Sequence, residues 1–168
     1  NGYAVLEALR QQPELRAIPF IFLTARSARS DQRKGMVLGA DDYITKPFGI
    51  GELMARIRVA LRHANPAAQR DAEGVFSISD LTVDLARRRV HVAGRETHLT
   101  RIEYRLLTAL VRNAGKVMAH RQLLKEVWGP SHVEHQHYLR IYMANLRNKL
   151  EGDSTRPRSP ARCRSSEG

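Results

Sequence analysis

The sequence has a single cysteine, Cys163, so no internal disulfide can staple the fold, which fits a reducing compartment such as the cytoplasm. It contains no apolar run of the roughly 18 residues a membrane span needs, and no apolar stretch behind a basic start, which excludes a membrane-spanning reading and a secretory signal. A glycine-rich nucleotide loop and an internal repeat are both lacking. No nucleophile and base fall into a recognisable set, which argues against an enzyme. Acid is scarce: 17 Asp/Glu stand against 28 Lys/Arg, a formal charge of +11. The excess is spread along the chain, with ten Lys/Arg against six Asp/Glu in residues 1–64 and eighteen against eleven in 65–168. A basic balance without a polybasic arm favours a polyanionic partner such as DNA, although solubility or an acidic protein would also account for it.

What is present divides in two. In GYAVLEALR, Tyr3, Val5, Leu6 and Leu9 recur at helical spacing until Pro13. IPFIFLTA (18–25) is nearly continuously apolar and reads as a buried parallel strand. Residues 29–38 read as a helix closed by Gly39, DYIT (42–45) as a short strand, and 50–63 as a helix with Ile50, Leu53, Ile57 and Leu61 on one side. Helix, strand, helix, strand, helix is the order of an α/β unit with a parallel sheet. Residues 64–74 break this composition and read as a linker. The period then becomes two, through Phe76, Ile78, Leu81, Val83 and Leu85 and again in 89–92. Thr100 with Glu103 forms a capping box ahead of a helix at 101–112. A short helix at 120–127 and a long one at about 134–150 follow, the latter with Leu139, Met143, Leu146 and Leu150 as its buried stripe. The second unit, 75–151, is thus α+β, and 152–168 is a disordered or aberrant tail by composition.

Two constellations carry chemistry. Thr24 ends one strand, Asp41 and Asp42 precede the next, and Lys46-Pro47 follows it. The carboxyl ends of neighbouring parallel strands share a crevice, where a hydroxyl and an ammonium can face one anion. Spacing alone leaves a surface lysine and a strand-end threonine equally open. The second is EHQHYLRIYMANLRNKL (134–150). With the leucine stripe inward, its outward groups include His137, Tyr138, Ile141, Tyr142, Asn145 and Lys149, and Asn can read adenine while Arg and Lys hold phosphate. An amphipathic helix with a decorated solvent face is the alternative. Trp128 closes the preceding helix on its apolar side and reads as packing. His132, His135 and His137 lack a fourth ligand, so no metal site is expected.

LGADDYITKPFGIGELMARIRVALR resembles the end of a response-regulator receiver domain of the OmpR/PhoB family, and HLTRIEYRLLTALVRNAGKVMAHRQLLKEVWG resembles that family's winged-helix core. VWGPSHVEHQHYLRIYMANLRNKLE is similar to members that control potassium-transport genes. The resemblance implies the C-terminal part of a flavodoxin-like receiver over 1–63, then a winged helix-turn-helix over 75–151. It implies Thr24 and Lys46 as the groups that contact a phosphoryl on an aspartate, Pro47 behind a cis peptide, and Tyr43 as the switching aromatic. It implies a dimer face carrying Asp41, Asp42 and Arg56. For DNA it implies His137, Tyr138, Ile141, Tyr142 and Asn145 at bases, with Arg147 and Lys149 at the backbone. Partners implied are promoter DNA, a sensor histidine kinase, RNA polymerase and a second copy. A complete receiver uses Mg2+, but no cofactor is expected in these residues. The family's wing carries a Gly-x-Gly-Tyr turn after a segment like GDSTRPR, where SPARCRSSEG stands here. A competing expectation is therefore an interaction fragment without phosphorylation or specific DNA binding.

The resemblance places the phosphate acceptor and the acidic pair ahead of Asn1. These 168 residues by themselves are accordingly expected to take up no phosphate from acetyl phosphate. Phosphate-affinity electrophoresis checks this, and a hydroxylamine-sensitive shifted band would contradict it.

Overall fold

The computed structural model describes residues 1–25, 28–64 and 74–151. The linker, apart from Ala64 and Gly74, and the tail lie outside the described residues. Helix α1 (Gly2–Gln11) begins at Asn1, whose side chain accepts from the Ala4 amide. Strand β1 (Ile21–Thr24) runs parallel to β2 (Asp42–Thr45), Ile21 opposite Asp42 and Thr24 opposite Thr45. Between them lies α2 (Arg29–Val37). Its end is a Schellman turn: Gly39 takes φ +91°, its amide donates to Met36 O, and the Ala40 amide donates to Gly35 O. Helix α3 (Ile50–Ala64) follows.

This front unit is small. Its core is Leu6, Phe22, Ala40 and Tyr43, with Tyr3 and Tyr43 set 5.0 and 5.6 Å from the Phe22 ring. Two strands make a marginal sheet. Ile18, Leu23 and Leu61 remain 46%, 42% and 57% exposed along one side of it, which leaves an apolar groove open.

The back unit is larger. Strands β3 (Val75–Ile78), β4 (Leu81–Asp84), β5 (Arg89–Val92) and β6 (Arg95–Glu96) form an antiparallel sheet in chain order. The expected capping box is present at α4 (Arg101–Arg112): Thr100 Oγ1 accepts from Glu103 N, and Glu103 Oε2 accepts from Thr100 N at 2.8 Å. Then come α5 (His120–Trp128), a 3-10 turn at Pro130–His132 and α6 (Gln136–Glu151). Helix α6 begins two residues later than its pattern suggests, Glu134 lying in a turn and His135 outside any element. Val83 and Val90 face the helices from the sheet, and Leu106, Leu124, Trp128, Leu139 and Leu146 fill the space between. Trp128, 2% exposed, lies 5.3 Å from the Tyr142 ring and is a packing residue as expected.

The two units are packed together. Met36 of α2 is 1% exposed and belongs to the core of the back unit. A Cβ at Gly39 would stand 3.0 Å from Thr100 Cγ2, so its left-handed φ and its close approach both require glycine. Arg101 ties the head of α4 to the front unit, donating to Ala17 O at 2.9 Å and to Ala60 O at 3.3 Å.

Truncating Leu106 to Ala, inside the back core, is expected to cost about 2–5 kcal/mol in urea unfolding. Met36→Ala is expected to cost a similar amount although Met36 belongs to the front unit. A cost below about 0.5 kcal/mol at Met36, the level of an ordinary surface position, would show that the units do not share a core.

Candidate functional site

Parallel pairing brings Thr24 and Lys46 to the same edge of the sheet, where the Lys46 amide donates to Thr24 O at 2.7 Å. The Lys46 side chain is exposed, and the Lys46-Pro47 peptide is cis, as the resemblance implied. Tyr43 is buried in the small core at 3% exposure, its ring against Phe22. Asp41 and Asp42 stand at the opposite end of β2. Both are taken up within the chain, Asp41 by Arg10 and Arg101, Asp42 by Arg56 with the His132 imidazole beside it. Carboxylates so neutralised do not fit a magnesium site, and among the described residues no group of acids and histidines could hold a metal.

Of the residues implied for a dimer face, Asp42 and Arg56 form a buried pair within this chain, with Arg56 Nη1 donating to Oδ1 at 2.9 Å and to Oδ2 at 3.0 Å. His132 from the back unit closes over them, its Nε2 at 2.8 Å from Asp42 Oδ2 and 2.6 Å from Arg56 Nη1. Its Nδ1 lies 3.0 Å from Ser131 Oγ. Glu52, one turn back on α3, takes the other side of the Arg56 guanidinium. Asp41 is 6% exposed and accepts from the Phe20 amide at 2.8 Å. The face expected to meet a second copy is covered here by the winged-helix unit.

The neighbouring carboxylates are driven in opposite directions. Burial pushes Asp41 upward, and its arginines, at 3.4 and 3.8 Å, only partly offset this. Burial pushes Asp42 upward too, but His132 first and then Arg56 outweigh it and hold the carboxyl below its ordinary value.

The recognition-helix candidates are divided by the same docking. At about 100° per residue, α6 presents three stripes. Leu139, Met143, Leu146 and Leu150 face the core as expected. Tyr138 and Tyr142, expected to face outward, are instead 2% and 1% exposed. Tyr138 Oη donates to Tyr43 O at 3.0 Å and Tyr142 Oη to Ala40 O at 2.5 Å, so both phenols are spent on front-unit carbonyls. The sequence reading assumed one packed face on α6, whereas the helix has two. His137 is half-buried with Nε2 3.1 Å from Gln32 Oε1, and burial, then Arg29, holds it below the usual imidazole value. Ile141 is partly buried against the core. Asn145 Nδ2 is buried without a hydrogen-bond partner among the described residues. Lys149 is not free for phosphate in this arrangement, because its Nζ donates to Glu103 Oε2 at 2.6 Å. Arg147 is exposed. The third stripe holds Arg140, Ala144, Arg147 and Asn148, all open to solvent. Arg140 and Asn148 were missed by the sequence reading, and their place eight residues apart on the side away from the leucines was the available signal.

A receiver-like unit packed on a winged helix through the α6 tyrosines defines a two-part response regulator. The profile described as response regulator receiver domain matches residues 1–58, and that described as transcriptional regulatory protein, C terminal, matches 94–162. The chain belongs to the OmpR/PhoB family of response regulators. It is 54% identical over 153 residues to the KDP operon transcriptional regulatory protein KdpE of Escherichia coli (strain K12), covering 91% of this chain and 67% of that protein. It is 46% identical over 140 residues to the transcriptional regulatory protein KdpE of Mycobacterium tuberculosis (strain CDC 1551 / Oshkosh), covering 83% of this chain and 62% of that one. The chain therefore spans roughly two thirds of these relatives' length. Among solved structures it is similar to a cysteine-to-aspartate mutant of RitR, with a TM-score of 0.63 and 25% identity, covering 89% of this chain and 66% of that one.

The Asp42 cluster generates a pH prediction. A carboxyl held below its ordinary value stabilises the packed state fully above about pH 4, and that contribution is lost as pH falls through the lower folded value. Acid should therefore separate α6 from the front unit below about pH 4, seen as a change in Trp128 fluorescence. Asp42→Asn should weaken the packing at neutral pH and flatten the acid response. An unchanged acid midpoint in that variant would assign the response to other carboxylates.

Proposed function

We propose that this chain acts as a DNA-binding transcription regulator of a two-component system and that its target is the promoter of potassium-transport genes. The similarity to KdpE proteins across both units is the observation that carries the reading. A sensor histidine kinase is the partner such a receiver implies, with RNA polymerase and a second copy as further partners and the cytoplasm as its location. No helix of the described residues is long and apolar enough to cross a membrane.

In this reading α6 is the helix that enters the major groove. The exposed Arg140 and Arg147 hold phosphates, the exposed Asn148 can address a base edge, and Asn145, whose amide nitrogen is buried here, can do so only once α6 is uncovered. A second element follows from the packing: with Tyr138 and Tyr142 donating to Tyr43 O and Ala40 O, half of the reading surface is covered. Full contact with DNA requires α6 to leave the front unit, and the packed arrangement is the low-affinity form.

Fluorescence anisotropy with a potassium-operon promoter duplex and a scrambled duplex, across a salt series, tests both statements. The packed chain should bind the two duplexes weakly, similarly and with steep salt dependence. Arg140→Ala or Arg147→Ala should lower the salt slope by about 1 each. Tyr142→Phe leaves Ala40 O without its donor, weakens the packing, and should raise promoter affinity several-fold. Equal affinity in Tyr142→Phe and the parent would remove the covering argument. Salt slopes unchanged in both arginine variants would remove α6 as the DNA-contacting helix.

A further inference from the structure

A cleft of about 250 Å³ lies where the two units meet, between the segment after α1 and the β5–β6–α4 edge of the winged helix. Four arginines line it, Arg16, Arg88, Arg89 and Arg101, with Glu96 as the single carboxylate among its lining residues. That glutamate sits 4.0 Å from Arg89 at an exposed position, which neutralises little. Arg101 lines the wall with its nitrogens already engaged, Nη1 on Ala17 O at 2.9 Å, Nη2 on Ala60 O at 3.3 Å and Nε 3.8 Å from Asp41, so it contributes charge rather than free donors. Positive charge is therefore gathered here in excess of the acid that could balance it. One turn along α4, burial first and then Arg101 lower the Arg105 guanidinium to about 9, against the pull of Asp41.

The cleft is also prepared in shape. Arg88 stands at φ +55° in the β4–β5 turn with its guanidinium 4.9 Å over the Tyr104 ring, which limits the rotamer freedom an incoming anion would otherwise remove. The first turn of α4 opens on the same space, its start already closed by the Thr100–Glu103 capping box, so the charge of the cleft comes from the arginines. Thr97 and Thr100 line the wall between Arg89 and Arg101.

We infer that this cleft is a binding site for a small anion bearing more than one phosphate group, gripped by Arg16 from the front unit and by Arg88 and Arg89 from the back unit, with Arg101 adding its charge from the wall. Guanidinium forks match phosphate oxygens two by two, and an anion with two phosphates offers oxygens to arginines on both walls at once. Because the walls belong to different units, an occupant stabilises their packing. By reciprocity it also holds α6 against the front unit and opposes DNA binding. That coupling rests on the covering role of Tyr138 and Tyr142, whereas the site itself does not.

The test is isothermal titration calorimetry of the full 168-residue chain with inorganic pyrophosphate, at ionic strength held constant with sodium chloride. One site is expected, with inorganic phosphate bound at least tenfold more weakly. Arg16→Gln and Arg88→Asn should each weaken pyrophosphate at least tenfold, asparagine being chosen because it keeps the left-handed turn. Arg112→Gln, on an exposed stretch away from the cleft, should leave binding unchanged, and circular dichroism of each variant confirms folding. Binding equally reduced by Arg112→Gln, or unaffected by both cleft variants, would mean that pyrophosphate meets only the general positive surface and would overturn the site. A promoter anisotropy series with and without pyrophosphate tests the coupling separately. Intact binding in the cleft with unchanged DNA affinity would leave the site standing and remove only its regulatory effect.

Discussion

The Asp42 carboxylate sits where solvent cannot reach it, and the packing of the two units turns on how its charge is met. A buried carboxylate is costly unless it is paired and its remaining lone pairs are hydrogen-bonded. Arg56 supplies a guanidinium from α3, the Tyr43 amide supplies a donor from β2, and His132 supplies the last contact from the other unit. Without His132 the pair would lie at the surface of the front unit, half solvated and worth little. With it, the ion pair becomes the seat on which the winged helix rests. The tyrosines of α6 then fall within reach of Ala40 O and Tyr43 O, carbonyls just before and within β2.

This arrangement also supports a front unit that is small. A two-stranded parallel sheet with four buried core residues has little of its own to stand on. Much of what it lacks is provided by the neighbour: Met36 enters the larger core, and Arg101 reaches across to two of its carbonyls. The stabilisation runs both ways, because the side of α6 that carries Tyr138 and Tyr142 would otherwise expose two aromatic rings.

The order of elements was legible from hydrophobic period, from the Thr100–Glu103 capping box and from Gly39, all of which are local signals. The pairing of Thr24 with Lys46 was legible because parallel strands place their ends together. The fate of the α6 tyrosines was not. Nothing in the spacing of Tyr138 and Tyr142 separates a side chain that faces DNA from one that faces another unit, since both uses call for a large amphipathic group off the leucine stripe. His132 reads locally as one of three histidines short of a metal set, but its role as the third member of an ion cluster depends on residues 76 and 90 positions away and leaves no mark in local sequence. Lys149 reads as a phosphate contact for the same reason, its partner Glu103 lying 46 residues earlier.

Helix α6 thus carries two vocabularies on overlapping letters. If α6 reads bases as proposed, a substitution at Tyr138 or Tyr142 that alters which bases the helix prefers also alters how firmly it is held on the front unit, so the two cannot be tuned independently there. Exchange of the winged helix for that of a distant relative meets the same difficulty from the other side. A graft without a histidine at position 132 would leave Asp42 and Arg56 one contact short beneath it, and a hybrid regulator built that way would rest in a different state from either parent.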